Sequence, residues 1–327
     1  MNNLFKEIIL KATGASAFSE NQKIQDLWSG YGKILRLDLE GSKDHTVVIK
    51  HIKLPDKKNH PRGWNTNISH KRKLKSYNVE MAWYTHYSEQ CDETCRVPCC
   101  LVHESQGEES LIVLEDLDAA GFPKRKKSAN WNEMQACISW LANFHATFLC
   151  KKPSYLWKTG TYWHLDTRPD ELKALDDSYL KAAAGKIDQK LKACRFQTFV
   201  HGDAKLANFC FSRNGKNVAA VDFQYIGGGC GMKDLAYFVG SCLYEEQCQQ
   251  MEQQILDYYF QCLHHAIQHR KEQVNAEGVF NELETEWRGM YHIAWTDFHR
   301  FIKGWSPGHW KINSYSEKIA QKVISQL

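Results

Sequence analysis

Two stretches decide the reading of this chain: His201-Gly202-Asp203-Ala204-Lys205-Leu206-Ala207-Asn208, and Val221-Asp222-Phe223-Gln224. The first sets an Asp, a Lys and an Asn at fixed offsets in a short loop. The second places another Asp fourteen residues after the Asn, at the end of an apolar run. This is the layout of a phosphoryl-transfer site, in which one carboxylate receives the proton of an attacking hydroxyl while an amide and a second carboxylate hold magnesium. Asp203 is the expected base, because a carboxylate in hydrogen-bond reach both orients a hydroxyl and takes its proton late in the transfer. A loop-capping Asp after a Gly is the plainer alternative; the rest of the constellation speaks for the chemical role.

Upstream of the motif, residues 1–20 read as a short helix with apolar positions Leu4, Ile8, Ile9 and Ala12, followed by a loop. Ile24 to Trp28 and Lys33 to Leu39 read as strands around the turn Ser29-Gly30-Tyr31-Gly32, and Thr46 to Ile52 is a β-branched strand. Residues 53–75 are polar and basic and read as a surface insertion, a solvated loop or a collector of acidic partners. Residues 77–90 carry Val79, Trp83 and Tyr87 at helical spacing with Glu80 on an adjoining face. Val97 to Val102 and Ser110 to Leu114 read as two more strands. Beyond Glu115 the patterns turn helical: Trp131 to Phe148, 170–193, Asp234–Tyr244, Cys248–His269, Glu277–Lys303 and Tyr315–Ile324. The motif loop is flanked by the short apolar runs Phe196 to Val200 and Val218 to Val221. Five strands and a helix followed by a helical unit make an α+β, two-lobe architecture, with residues 1–116 as one lobe and 117–327 as the other.

A chain of 327 residues exceeds one average domain, and 43% hydrophobic residues suffice for a large core. The net charge of +4 suits a protein that handles phosphates but does not by itself suggest nucleic acid. The basic segment also lacks the interleaved aromatics of a single-strand binder, apart from Trp64. The twelve cysteines are scattered through apolar segments, which reads as reduced thiols in a cytoplasmic enzyme. The one cluster, Cys91, Cys95, Cys99 and Cys100, matches no common zinc or iron–sulfur spacing. No apolar run approaches the ~20 residues of a membrane span, and Glu7 and Lys11 break the N-terminal apolar stretch, which argues against a signal peptide.

The motif residues resemble the protein-kinase-like fold in its small-molecule branch: aminoglycoside phosphotransferases, choline kinases and ecdysteroid kinase-like proteins. His201-Gly202-Asp203 with Asn208 looks like their catalytic loop, and Asp222-Phe223-Gln224 sits where protein kinases have Asp-Phe-Gly. The Gln, the hinge Leu114-Glu115-Asp116-Leu117 and the segment Asp234-Leu235-Ala236-Tyr237 look most like the ecdysteroid kinase-like group. The resemblance implies a small lobe with a five-stranded antiparallel sheet, a larger helical lobe, and the use of ATP and Mg²⁺. It makes Asn208 and Asp222 the metal ligands, and it makes Lys50 the contact to the α- and β-phosphates, paired with an acid on the next helix. Glu80 is the better candidate for that acid than Glu89. Gly30 and Gly32 form the nucleotide loop, thinner than the usual glycine-rich cradle, and adenine is expected against the backbone of Glu115, Asp116 and Leu117. Lys205 is placed to offset charge on the transferred group, while His201 and Asp234 support the loop. Protein kinases carry Lys at the position of Lys205, whereas many ecdysteroid kinase-like relatives carry an aromatic.

The acceptor, a small molecule with a hydroxyl, is expected against the C-terminal helices. Trp295, Trp305, Trp310 and Asp297 together suit a cationic amino alcohol such as choline through cation–π attraction. The stripe Trp287, Tyr291, Trp295 and Phe298 has helical spacing, which equally describes plain core. Two other function classes compete with a small-molecule kinase. One is a nucleotide-binding scaffold without catalysis, supported by the thin glycine loop. The other is a protein kinase, opposed by the absence of His-Arg-Asp and Ala-Pro-Glu segments.

Overall fold

Thr46-Val47-Val48-Ile49-Lys50 alternates between two environments, and that alternation builds the first layer. Val47 and Ile49 join a buried cluster with Phe5, Ile9, Leu35 and Leu37, while Val48 and Lys50 point to the opposite face. The computed structural model describes residues 1–27, 30–53, 67–270 and 276–327. Its main sheet has five antiparallel strands, β1 (Ala17–Asp26), β2 (Gly32–Glu40), β3 (Thr46–Lys53), β4 (Cys100–Gln106) and β5 (Glu109–Glu115), in the order β1-β2-β3-β5-β4. Helix α1 (Asn3–Thr13) covers one face with Phe5 and Ile9. The Asn2 side chain accepts from Phe5 N at 2.8 Å to start it, and left-handed Gly14 (φ 67°) stops it.

Helix α2 (Asn67–His86) packs on the other face. Its Trp83 is fully buried and stacks on Phe223, ring centroids 4.7 Å apart and planes 20° apart, with Phe144 and Phe148 against its edges. This aromatic cluster belongs to one continuous core that runs from Tyr77 and Leu114 to the C-terminal helices. Those helices are α3 (Trp131–Thr147), α4 (Pro169–Lys173), α5 (Ser178–Lys192), α6 (Met232–Cys242), α7 (Glu245–His269), α8 (Ala276–Trp305) and α9 (Ser314–Ser325). Asn130 and Glu133 form a reciprocal capping box at the start of α3. Between α5 and α6 lie four short strands, β6 (Thr198–Val200), β7 (Phe209–Phe211), β8 (Val218–Ala220) and β9 (Gly227–Gly229), paired β6 with β9 and β7 with β8.

The α+β architecture matches the expectation, and several boundaries shift for physical reasons. Strand β1 begins at Ala17, inside what reads as helix and loop, because it is an edge strand whose exposed side chains are almost all polar. Trp28 and Ser29 lie outside the described residues. Residues 67–75 are not surface insertion but the first turns of α2. Arg72 there is buried and donates to Thr167 O at 2.6 Å, so cations hide the helical period that apolar residues would reveal. The remainder of that basic segment, 54–66, lies outside the described residues. The expected helix over 170–193 is two helices, broken where Asp177 accepts from Leu180 N at 2.9 Å and caps α5. Strand β4 starts three residues after Val97, at Cys100. Strand β9 is three glycines with no strand propensity. Its backbone is pressed so close to Trp157 that a Cβ on Gly227 would stand 2.2 Å from Trp157 O. Among the described residues no helix is long and apolar enough to cross a membrane.

Trp83→Ala is expected to cost about 3–5 kcal/mol, since it removes the ring that joins α2 to Phe223 and α3. Urea unfolding midpoints of the two proteins measure it.

Candidate active site

Lys50 sits mid-sheet, opposite Ile34 of β2 and Ile112 of β5, and the strand's pleat aims it at α2. Its ammonium is 2.6 Å from Glu80 Oε2 and 3.0 Å from Asp222 Oδ1. Burial works against the Lys50 charge, but Asp222 and Glu80 outweigh it and hold its pKa above the usual lysine range. Burial likewise opposes ionisation of Asp222, yet Lys50, Lys205 and Lys73 hold that carboxyl well below its usual range.

The loop that carries Asp203 is fixed mainly through its backbone. Asp234, in the first turn of α6, accepts from His201 N at 2.5 Å and Gly202 N at 2.9 Å. His145 reaches the same carboxylate at 3.2 Å. The His201 ring uses both nitrogens locally: Nδ1 accepts from Asp203 N at 3.2 Å, and Nε2 donates to Val221 O at 3.0 Å. Both ring positions are thus engaged by backbone, which ties the loop to the end of the apolar run before Asp222. Gly202 has φ 79°, and a Cβ there would stand 2.1 Å from Tyr225 O, so no other residue fits. The Asp203 carboxylate accepts from Lys205 Nζ at 2.8 Å, Asn208 Nδ2 at 3.2 Å and the Tyr237 hydroxyl at 3.1 Å. Burial pushes the Tyr237 hydroxyl well above its usual range, which keeps it a donor. Burial opposes the Lys205 charge, and Asp203 and Asp222 more than restore it.

Asp222 has φ 72°, a left-handed conformation that Asp adopts more readily than most residues. The turn sends Phe223 under Trp83 and turns Gln224 toward α2. Gln224 Nε2 donates to Asp222 Oδ1 at 2.8 Å, while its Oε1 accepts from Lys73 Nζ at 2.8 Å and Ser76 Oγ at 3.2 Å. Neither Lys73 nor the bridging role of Gln224 was visible beforehand, because Lys73 lies in the segment that reads as a solvated loop.

Lys50, Glu80, Asp203, Lys205, Asn208 and Asp222 line one cleft of about 740 Å³, a size that suits a small ligand. Glu115, Asp116 and Leu117 line its inner end, beside Ile34, Val48 and Val221. The acidic side chains there are structural. Glu115 accepts from Arg96 Nη2 at 2.6 Å, and Asp116 accepts from Arg36 Nε at 2.7 Å and Thr46 Oγ1 at 2.8 Å. Gly30 and Gly32 both have positive φ, 76° and 127°, and a Cβ on Gly32 would stand 2.1 Å from His51 O. The turn therefore uses both of its glycines. Tyr31 between them hydrogen-bonds His70 of α2 at 2.6 Å.

Two oxygens at the cleft keep no protein partner among the described residues: Asn208 Oδ1 and Asp222 Oδ2. An amide and a carboxylate oxygen are hard donors, and the Asp222 side chain is 36% exposed, so both fit Mg²⁺, which takes few ligands from protein.

The expected acceptor box does not assemble. Asp297 is 3% exposed, pairs with Arg300 at 2.9 Å and accepts from Trp163 Nε1 at 3.0 Å, away from the cleft. Trp295 donates to Ser316 Oγ at 3.0 Å and, with the half-exposed Trp310, lines a small crevice that adjoins the main cleft at Phe298, Ile302 and Lys311. Of the four residues only Trp305 lines the main cleft. The stripe on α8 is core because that helix is covered by neighbours along its apolar face. Cleft residues missed in the sequence are Tyr162, Arg168, Tyr237 and Lys311. Tyr237 carried a signal, three residues after Asp234 on one helix face.

The Asp222 carboxyl sets a pH dependence. The unfolded chain binds its proton near pH ~3.9 and the folded chain at lower pH. Its stabilisation is therefore complete above about pH 5 and is lost as pH falls through those values. Urea midpoints across pH are expected to converge for wild type and Asp222→Asn on the acid side and to separate toward neutrality.

The sequence matches the ecdysteroid kinase-like family over residues 31–162 and 158–272, well over half of the chain. No curated protein matches it. Among solved structures, the ethanolamine kinase of Plasmodium vivax aligns over 97% of this chain and 86% of its own at 11% identity, with a TM-score of 0.52. A microcompartment-associated aminopropanol kinase aligns over 99% and 94% at 13% identity, with a TM-score of 0.49. A choline/ethanolamine kinase family protein of Mesorhizobium loti aligns over 99% and 95% at 12% identity, with a TM-score of 0.44. The fold is thus protein-kinase-like, and the chain belongs to the ecdysteroid kinase-like family.

Proposed function

We propose that the cleft transfers the γ-phosphoryl group of ATP to a hydroxyl of a small molecule, with residues 1–116 holding the nucleotide and 117–327 supplying the catalytic loop and acceptor wall. The observation that carries this reading is the meeting of Asp203, Asn208, Asp222 and the Lys50–Glu80 pair around one cleft. Family membership supports it independently.

Each residue has a distinct task. Lys50, kept cationic by Glu80 and Asp222, meets the inner phosphates, and Glu80 fixes where the ammonium stands. Adenine lies along the backbone of Glu115 to Leu117, with Ile34, Val48 and Val221 as its apolar walls and Gly30 and Gly32 in the turn above. Asn208 Oδ1 and Asp222 Oδ2 would hold the metal, and Mg²⁺ bound there would supply charge neutralisation for the phosphates. Asp203 receives the acceptor's proton as the new oxygen–phosphorus bond forms and the bond to the ADP oxygen breaks. Tyr237 and Asn208 keep that carboxylate turned toward the acceptor. Lys205 offsets negative charge that gathers on the moving group. His201 and Asp234 hold the loop that carries these groups.

A nucleotide-dependent ADP-release assay with a panel of hydroxylated acceptors tests this. Turnover should require magnesium, and Asp203→Asn should lower kcat by about 10²–10⁴-fold with little change in KM for ATP. Lys50→Ala should impair ATP use while the folded far-UV spectrum is retained. Nucleotide binding with no magnesium-dependent turnover on any acceptor would make the protein a scaffold instead, and label transferred to protein would make it a protein kinase.

A further inference from the structure

One wall of the cleft is aromatic, with Tyr162, Tyr237, Phe298 and Trp305 in its lining. Such walls attract cations, but here the chain fills the position itself. Lys311 Nζ lies 4.9 Å from the Tyr237 ring centroid, 5.2 Å from that of Phe298 and 5.7 Å from that of Trp310. Among the described residues no carboxylate pairs with it. The Tyr237 ring that faces Lys311 also donates its hydroxyl to Asp203, so the ammonium stands one aromatic ring away from the proposed base. Arg168 lies over the Tyr162 ring at 5.7 Å, but its charge is already paired with Glu171 at 2.8 Å, so Lys311 is the cation that this wall leaves for a ligand.

Countercharge is scarce. The cleft carboxylates Glu80, Glu115 and Asp116 are each engaged by Lys50, Arg96 or Arg36, and Asp203 by Lys205. Asp297, which would have received an amine, is bound to Arg300. At this wall a cationic acceptor would therefore meet the Lys311 ammonium, and the Asp203 carboxylate beyond the Tyr237 ring is already engaged by Lys205. Burial lowers the Lys311 pKa to about 8, against the opposing pull of Cys242 and Asp203, so the group is still protonated at neutral pH yet incompletely solvated.

We propose that the acceptor is an apolar hydroxyl compound that also carries an anionic group such as a carboxylate, and that Lys311 is the specificity residue that pairs with it. This rests on the phosphotransfer reading above. The apolar body lies against Phe298, Ile302 and Trp305, and the anion pairs with the ammonium that now faces only the rings.

A matched series tests it: para-hydroxymethyl benzoate, benzamide and benzylamine, which share ring and hydroxyl and differ in charge. Binding is measured by titration calorimetry and transfer by ADP release, in wild type, Lys311→Met and Lys311→Arg. Benzoate should be favoured over benzamide by about ten-fold, the strength of one charge-assisted hydrogen bond, with benzylamine last. Lys311→Met should remove that advantage, mainly through KM, and leave benzamide nearly unchanged; Lys311→Arg should keep it. Equal or better binding of benzylamine, no binding of benzoate, or an unchanged ratio in Lys311→Met overturns the proposal. If Lys311→Met weakens benzamide as well, its fold is damaged, and the wild-type order together with Lys311→Arg decides. Charge-ordered binding without any phosphate transfer upholds the anion site and overturns the kinase reading instead.

Discussion

One ammonium joins three parts of the chain that are far apart in sequence. Lys50 Nζ comes from the middle of β3, Glu80 from α2, and Asp222 from the turn after β8. Taking a lysine out of water is costly, and only paired carboxylates make the burial tolerable. Lys50 is 3% exposed and Glu80 1%, so either partner left alone would be an uncompensated charge in the interior. The sheet, the helix and the Asp222 turn are therefore held to one relative arrangement. A hydrophobic trio of equal volume could pack as well, but it would leave no cation facing the cleft. The pair is better explained by what the cleft must hold than by stability.

The loop around Asp203 follows a different principle. Ala204 and Leu206 anchor it in the core, but its shape is set by backbone donors aimed at a carboxylate. Asp234 collects two consecutive N–H groups, and hydrogen bonds to a charged acceptor are worth more than neutral ones. Because Asp234 belongs to α6, the loop inherits the rigidity of a buried helix. Gln224 does a comparable job on the other side, where one amide ties Asp222 to Lys73 and Ser76. A glycine in its place would leave Asp222 Oδ1 to Lys50 alone and remove the polar tie of α2 to the turn, with the Trp83–Phe223 stack remaining.

The site was legible in the sequence where its groups are close in the chain. Asp203, Lys205 and Asn208 fall within six residues, and Asp222 ends an apolar run, so loop and turn announce themselves. The sheet was legible where β-branched residues alternate, as in β3, and illegible in polar β1, where an edge strand gives no apolar period. Helix α2 was read too short because Arg72 and Lys73 are buried through hydrogen bonds, and a sequence shows charge but not its partners. Asp297 was misread for the same reason. An Asp beside aromatics looks available until Arg300, three residues on, is seen to take it.

The aromatic residues of the outer cleft carry the same ambiguity one step further. In sequence they can be core or a cation box, and the structure adds a third arrangement, a box that the chain's own lysine occupies. Aromatic faces return only part of what a desolvated ammonium loses, so Lys311 is not held there for packing, which a methionine would do as well. Among the lysines that line the cleft, Lys50 is shared by Glu80 and Asp222 and Lys205 pairs with Asp203, while Lys311 lies on aromatic rings with no carboxylate partner among the described residues. On the proposed reading the nucleotide's phosphates would meet Lys50, and Lys311 would be left for an acceptor that brings negative charge of its own, with its hydroxyl toward Asp203.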